Sequence, residues 1–470
     1  MPESKKKFRP KPLLPAGFED YPSEKYIFAE MICNKLLALY QQYGFLPLET
    51  PAIEYSEALG KFLPDRERPN DGVFSLQDED GKWLSLRYDL TAPLARFVAR
   101  HYDSLPKPFR RVQAGFVFRN EKAGPGRFRQ FIQLDADIVG GSSAAVEAEL
   151  CMLGCQAMEV LGMGAGEYVL AVNHRGIMAA LMGVLSIEAD SPKAGAVLRA
   201  MDKWERLGAE GVAALLGEGR KDKSGDFTKG AGLSEKHIGV VMGLMGIGGS
   251  RKEVLAEIGK LLPDAEEALS ELAELDEMLS RLGFSEEKII FSPAIVRGLE
   301  YYTGIVFEIS LTDTGGLGSD LSGAIGGGGR YDGLVERFKG VKVPACGISL
   351  GISRLIAILE ARGKLPEPVI APLIMVAVFD KQHIGDDMVL VHELRGAGLT
   401  AELYMGDGAV KAQLKYADQR GVRFVLLQGE DDRARGSVTV KNLALGAKAA
   451  REITDNEKWR ASEHAQVEIK

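Results

Sequence analysis

Three segments carry arginine where a cation needs a partner: FRNEKAGPGRFRQF at 118–131, IVRGLEYYTG at 295–304 and ISLGISRL at 348–355. Each sits beside apolar residues patterned as a buried strand or a helix start, where an unpaired charge is strongly disfavoured. The guanidinium group is a planar fork of N–H donors that fits phosphate or carboxylate oxygens two at a time. Any one of these arginines reads first as half of a structural ion pair. Together, Arg119, Arg297 and Arg354 converging on one cleft point to a polyphosphate ligand.

The usual nucleotide loops do not account for that ligand. No G-x-x-x-x-G-K-[ST] segment occurs, and GAIGGGGR at 323–330 lacks the strand, helix and downstream acid of a dinucleotide site. By itself that glycine run reads equally as a turn or as a place where backbone approaches a ligand closely.

The chain around these residues is 470 long and 46% hydrophobic, enough for about three domains, each with its own core. A net charge of -8 gives no global basic footprint, so any nucleic acid would have to bind local patches. Cys33, Cys151, Cys155 and Cys346 are too few and too scattered for a disulfide framework, and Cys151 with Cys155 has no second pair to complete a zinc site. They read as reduced core residues. The N-terminal lysine run precedes no apolar stretch, and no segment reaches the ~20 apolar residues of a membrane span, so a cytoplasmic protein is expected.

Apolar residues recur at helical spacing from Ser23 to Tyr43, and Gly44 ends that helix. FLPLETPAIEY at 45–55 reads as an edge or interface strand because it carries Pro51. Further strands are expected at Trp83–Tyr88, Arg111–Arg119 and Phe128–Gly140, giving an antiparallel sheet flanked by helices. Helical periodicity then takes over between about Gly176 and Glu287, as an insertion after which the first fold resumes. ARGKLPEPVIAP at 361–372 reads as a linker, and strand and helix alternate from Pro372 as in a small α/β domain.

At this point the residues carry a family resemblance. ETPAIEY resembles motif 1 of class II aminoacyl-tRNA synthetases, FRNEKAGPGRFRQF their motif 2, and GISLGISRL their motif 3. His237 and His383 each begin an H-I-G triplet with no following histidine, which removes the textual support for a synthetase of the other class. RGLEYYTG, GGGRYDGL and LRYDLTAPLARF resemble segments peculiar to the histidyl-tRNA synthetase family, and the C-terminal region is similar to its anticodon-binding domain. The resemblance implies an α+β fold: a class II antiparallel sheet flanked by helices over 1–175 and 288–362, a helical insertion over 176–287, and an anticodon-binding domain over 370–470.

It also implies roles residue by residue. Arg119 would hold the α-phosphate of ATP, Glu121 the adenine side, and Arg354 the γ-phosphate, with Gly351 letting backbone come close and Arg127 orienting the phosphates. Arg297 would stand near the α-phosphate as a fixed charge where negative charge develops, acting more on the barrier than on binding. For histidine, Asp89 and Thr91 would surround the ammonium, Gln133 the amino-acid backbone, and Asp137, Tyr301 and Tyr302 the imidazole. The competing reading of Tyr301 and Tyr302 is strand packing, since adjacent strand side chains face opposite ways. Magnesium would arrive on the ATP phosphates, with no tightly bound protein metal. Lys411, Lys415, Arg420 and Arg423 could meet RNA phosphate, or be solvated surface. A homodimer is implied through motif 1.

One departure stands out. The motif 2 loop EKAGPGRFRQ differs from the family's more usual E-R-P-Q-K-G-R-Y-R-Q, so Gly124, Pro125 and Gly126 could reshape the contact with the tRNA acceptor end. Such a loop would suit a tRNA whose extra 5′ guanosine is absent or less important. Two other functions remain open at this stage: the synthetase-like regulatory subunit of ATP phosphoribosyltransferase in histidine biosynthesis, and a class II synthetase for threonine, proline or glycine.

Overall fold

A computed structural model describes residues 10–59, 72–124, 126–189, 191–221, 225–296, 301–312, 323–365, 373–445 and 466–469. Two compact units divide the chain, residues 1–366 and 367–470.

An eight-stranded sheet organises the first unit. Its spatial order is Leu46–Pro47, Phe109–Phe118, Gln130–Val139, Ala345–Gly351, Ala324–Arg330, Ile305–Leu311, Tyr168–His174 and Ile289–Phe291. The six central strands are antiparallel, and only the two short edge strands pair in parallel.

Residues alternate between faces along each strand. Leu134, Ala136 and Ile138 of Gln130–Val139 therefore share one face, which packs with Leu36 and Tyr40 of helix Ser23–Gln42, Leu150 of Ala145–Val160 and Leu355 of Ile352–Ala361. The opposite face carries Phe131, Gln133, Asp135 and Asp137, all lining a cavity.

Two sequence expectations change. FLPLETPAIEY is not one strand: Leu46–Pro47 joins the large sheet, whereas Ile53–Tyr55 joins a separate three-stranded sheet with Trp83–Leu86 and Ser75–Gln77. Arg87 ties the break together, donating to the Phe116 carbonyl at 2.8 Å, the Thr50 carbonyl at 2.5 Å and Glu49 at 2.9 Å. The glycine run is not a turn but the central strand Ala324–Arg330. A Cβ at Gly328 would drive into the Gly347 carbonyl of the neighbouring strand, so close backbone packing selects glycine there.

Between the strands Tyr168–His174 and Ile289–Phe291 the described residues form six α-helices: Arg175–Val184, Pro192–Met201, Trp204–Leu216, Glu235–Met245, Arg251–Leu261 and Glu266–Arg281. Their starts are written in the sequence. Ser191, Ser234 and Ser250 each accept a backbone N–H at a helix start, and Ser250 with Glu253 forms a capping box. Arg251, 3% exposed, joins helices to sheet by donating to Asp276 at 2.5 Å and to the Ile289 carbonyl at 3.0 Å.

The second unit has a five-stranded sheet in the order Ala401–Leu403, Ile374–Val376, Phe424–Leu427, Val438–Asn442 and Gln466–Ile469. The first three strands are parallel and alternate with helices Ile384–Gly396 and Val410–Gln419, whereas the last two add antiparallel ladders that the sequence pattern had not suggested.

Gly328→Ala should destabilise the first unit by about 1–3 kcal/mol, as overpacking does. Thermal melting with and without the substitution measures it, and an unchanged Tm would refute the packing account.

Candidate active site

The cavity-facing side of the large sheet opens into a cleft of about 860 Å³. Arg119, Glu121, Gly126, Arg127, Gly351 and Arg354 line it together with Asp89, Thr91, Gln133, Asp137, Tyr301 and Tyr302. Residues separated by more than two hundred positions in the chain thus meet in one space. Arg297 lies outside the described residues, as does Pro125; Val296, immediately before Arg297, lines the cleft.

At the phosphate-suited end, Arg119 follows the strand Phe109–Phe118. Its Nε donates to the Tyr88 carbonyl at 3.3 Å, and its guanidinium lies 5.1 Å from the Phe131 ring centre, which holds the fork in place. Arg354 sits in the first turn of Ile352–Ala361. That helix start is pinned to the sheet by Ser353, which takes the Ile132 N–H at 2.9 Å and bonds the Tyr21 hydroxyl at 2.7 Å. A helix N-terminus adds partial positive charge of its own. Gly351 has no crowding protein atom around its missing side chain, the nearest being the Ile325 carbonyl at 3.4 Å, so protein packing does not explain the glycine.

The loop between the strands Phe109–Phe118 and Gln130–Val139 folds back on itself through reciprocal Gly124 and Arg127 backbone bonds of 3.2 and 2.9 Å. Gly126 allows this by adopting φ +65, a left-handed conformation. Glu121, Gly124 and Arg127 are exposed on it.

The other end is acidic and buried. Arg111, fully buried, faces Asp137 across the ladder, with Nε 3.2 Å from a carboxylate oxygen, and donates to the Leu90 carbonyl at 2.7 Å. Tyr331 also donates to Asp137. Asp89 accepts the Ala92 N–H at 2.9 Å and so fixes the start of helix Thr91–His101, which carries Thr91. Tyr301 donates to Tyr302 at 3.2 Å, and its ring meets that of Tyr331 edge-on at 6.2 Å. Both tyrosines precede the strand Ile305–Leu311 rather than belonging to it, so strand alternation does not separate them.

Burial raises the proton affinity of Asp89, Asp135 and Asp137, opposed by Arg111; Asp135 is pushed up to about 7. Burial likewise raises Tyr301 and Tyr302, keeping both phenols protonated as donors.

The sequence reading missed several lining residues. Leu198, Arg199 and Asp202 come from helix Pro192–Met201 and the residue after it, within the inserted helices, and no sequence signal marked them. Glu308 and Ser349 face the cleft from neighbouring strands. Asp135 was legible in principle: once Gln133 and Asp137 are placed in the pocket, the two-residue period of a strand brings Asp135 with them.

A family model described as histidyl-tRNA synthetase matches residues 17–355, and one described as an anticodon binding domain matches 370–459. The chain belongs to the histidyl-tRNA synthetase family. A histidine–tRNA ligase of Caulobacter vibrioides is 47% identical over 98% of this chain and 95% of its own length. One from Bartonella henselae is 46% identical over 99% and 96%. Among solved structures, the histidyl-tRNA synthetase of Nostoc sp. PCC 7120 superposes with a TM-score of 0.70 at 28% identity, covering 98% of this chain and 97% of that one. The class II antiparallel fold expected for this synthetase family is the fold observed, and no helix among the described residues is long and apolar enough to cross a membrane.

Because the folded state of this synthetase retains the Asp135 proton up to about pH 7 while an unfolded aspartate loses it near 3.8, the folded state binds more protons between those values. Stability of the ligand-free protein should therefore fall as pH rises from about 4 to about 7. Asp135→Asn should flatten that slope; equal slopes in denaturant titrations across this range would contradict the assignment.

Proposed function

We propose that this cleft activates L-histidine with ATP and that the adenylate is then transferred to the 3′ end of tRNA(His), the reaction of a histidine–tRNA ligase. The observation that carries this reading is one cavity holding phosphate-suited arginines at one end and a buried acid–phenol pocket at the other.

The attacking group is the carboxylate of histidine, already ionised at neutral pH, so no general base is required. What remains is positioning and charge stabilisation around phosphorus. ATP enters as its magnesium complex, the ion riding on the β and γ phosphates. Arg119 holds the α-phosphate, Glu121 meets the adenine side, Arg127 orients the phosphates, and Arg354 takes the γ-phosphate where Gly351 lets it approach. Arg297 supplies the fixed charge that opposes the negative charge building at the α-phosphate; the placement of Val296 in the cleft supports this.

In the histidine pocket, Asp89 and Thr91 take the ammonium and Gln133 the amino-acid backbone. Asp137 is anchored from behind by Arg111 and Tyr331, and retains acceptor capacity for an imidazole N–H. Tyr301 and Tyr302 stand on the other side of the ring. A site that hydrogen-bonds a polar side chain rejects analogues that leave its buried groups unpaired.

For the second step, the C-terminal unit binds the anticodon. Lys411 and Lys415 are exposed one turn apart on Val410–Gln419 and suit RNA phosphate. Arg420 is engaged with Glu402 at 3.3 Å and is a weaker candidate. The loop of Gly124, Pro125 and Gly126 meets the acceptor end. The enzyme acts as a cytoplasmic homodimer: Ile53 and Tyr55 within motif 1 and Leu46 just before it are exposed apolar residues, as a subunit interface requires.

A second reading comes from the solved structure titled ATP phosphoribosyltransferase regulatory subunit/histidyl-tRNA synthetase from Bacillus halodurans C, 25% identical with a TM-score of 0.66. The anticodon-binding match over 370–459 favours the ligase. Histidine-dependent exchange of pyrophosphate into ATP separates the two, since a purely regulatory protein gives none.

Arg297→Ala should lower the activation rate by at least about 100-fold, the scale of losing one transition-state charge donor, with ATP affinity changed much less. Equal losses in rate and affinity would contradict the role. Charging of tRNA(His) transcripts with and without the extra 5′ guanosine should show little dependence on that nucleotide; strong dependence would remove the significance given to the Gly-Pro-Gly loop.

A further inference from the structure

We infer that Asp135 is a specificity-determining residue of this pocket, an anionic acceptor that joins Asp89 and Thr91 around the α-ammonium of the bound amino acid, beside Gln133 on the amino-acid backbone. The inference rests on reading the cleft as a histidine site and adds a residue to it.

Asp135 lies between Gln133 and Asp137 on Gln130–Val139, with all three facing the cavity. Its partner across the ladder is Ser349. Gln133 donates through Nε2 to the Ser349 hydroxyl at 3.0 Å, and Ser349 stands directly opposite Asp135 across the ladder. A hydroxyl carries one proton. Having accepted from Gln133, Ser349 keeps its own proton free to donate on the Asp135 side.

Two acceptors remain, Gln133 Oε1 and Asp135 Oδ1, both buried and without a hydrogen-bond partner among the described residues. A buried acceptor with no donor is costly, so the pair marks where a ligand's donors belong. A neutral carbonyl and a carboxylate on one strand face, with the Ser349 hydroxyl beside them, suit a cationic group with several N–H bonds. The imidazole is served separately by Asp137, Tyr301 and Tyr302.

Charge favours the same assignment. Asp89, Asp135 and Asp137 all interact with the buried guanidinium of Arg111, so the pocket has an excess of acid that an entering ammonium offsets. Burial that holds a proton on Asp135 when the pocket is empty makes its ionisation and the binding of a cation mutually supportive.

The test is calorimetric titration of the full-length enzyme with L-histidine and with 3-(imidazol-4-yl)propionate, which lacks only the ammonium. Asp135→Asn should weaken histidine binding about 10- to 100-fold, the scale of a hydrogen bond to a charged group, and leave the propionate within about twofold. Equal weakening of both ligands, or of neither, overturns the inference. Ser349→Ala keeps every charge and should produce the same selective loss at about 3- to 10-fold. Should Asp135→Asn not fold, histidine binding to Ser349→Ala at wild-type strength is the overturning result. Failure of the unsubstituted enzyme to bind either ligand would sink the histidine-site reading itself.

Discussion

One buried guanidinium constrains this molecule more than any other group. Arg111 has no exposed surface, and around it are the carboxylates of Asp89, Asp135 and Asp137. Carboxylates out of water are costly, and Arg111, helped by Arg119 at Asp89, does not neutralise three of them. The imbalance is tolerated because the rest of the sheet holds the groups rigidly and because a cationic ligand completes the arrangement. A pocket optimised for stability alone would contain leucine and valine instead.

The strand pattern follows from that demand. Gln130–Val139 must present Gln133, Asp135 and Asp137 on one face while Leu134, Ala136 and Ile138 anchor the other in the main core. Its neighbours must then leave room. A Cβ at Gly347 would collide with the Asp137 carboxylate, and the glycines of Ala324–Arg330 let two backbones approach while keeping the floor of the cleft open. Glycine costs conformational entropy in a strand, and here the cost is borne where a Cβ would meet the neighbouring strand or the Asp137 carboxylate.

The phosphate-suited end is built differently. Arg119 and Arg354 are intermediate in burial and are positioned by neighbours, one against Phe131 and a carbonyl, the other on a helix whose start Ser353 fixes. The cleft therefore grades from a buried, acidic end to a more exposed, cationic one, which suits a small zwitterion and a polyphosphate in turn.

Local chemistry in the sequence sufficed for the period-two strands and the run of inserted helices, because each depends on residues close together in the chain. The family resemblance supplied Arg119, Arg354, Gln133 and Asp137, which line one cleft, and the strand alternation contained Asp135. Only the tertiary structure decided that the glycine run is a central strand, that FLPLETPAIEY divides between two sheets, and that Leu198, Arg199 and Asp202 of the inserted helices reach the cleft. The physical reason is that strand partners and cavity walls are set by non-local packing: whether glycine turns or pairs depends on what lies across from it, and no spacing along the chain records that neighbour.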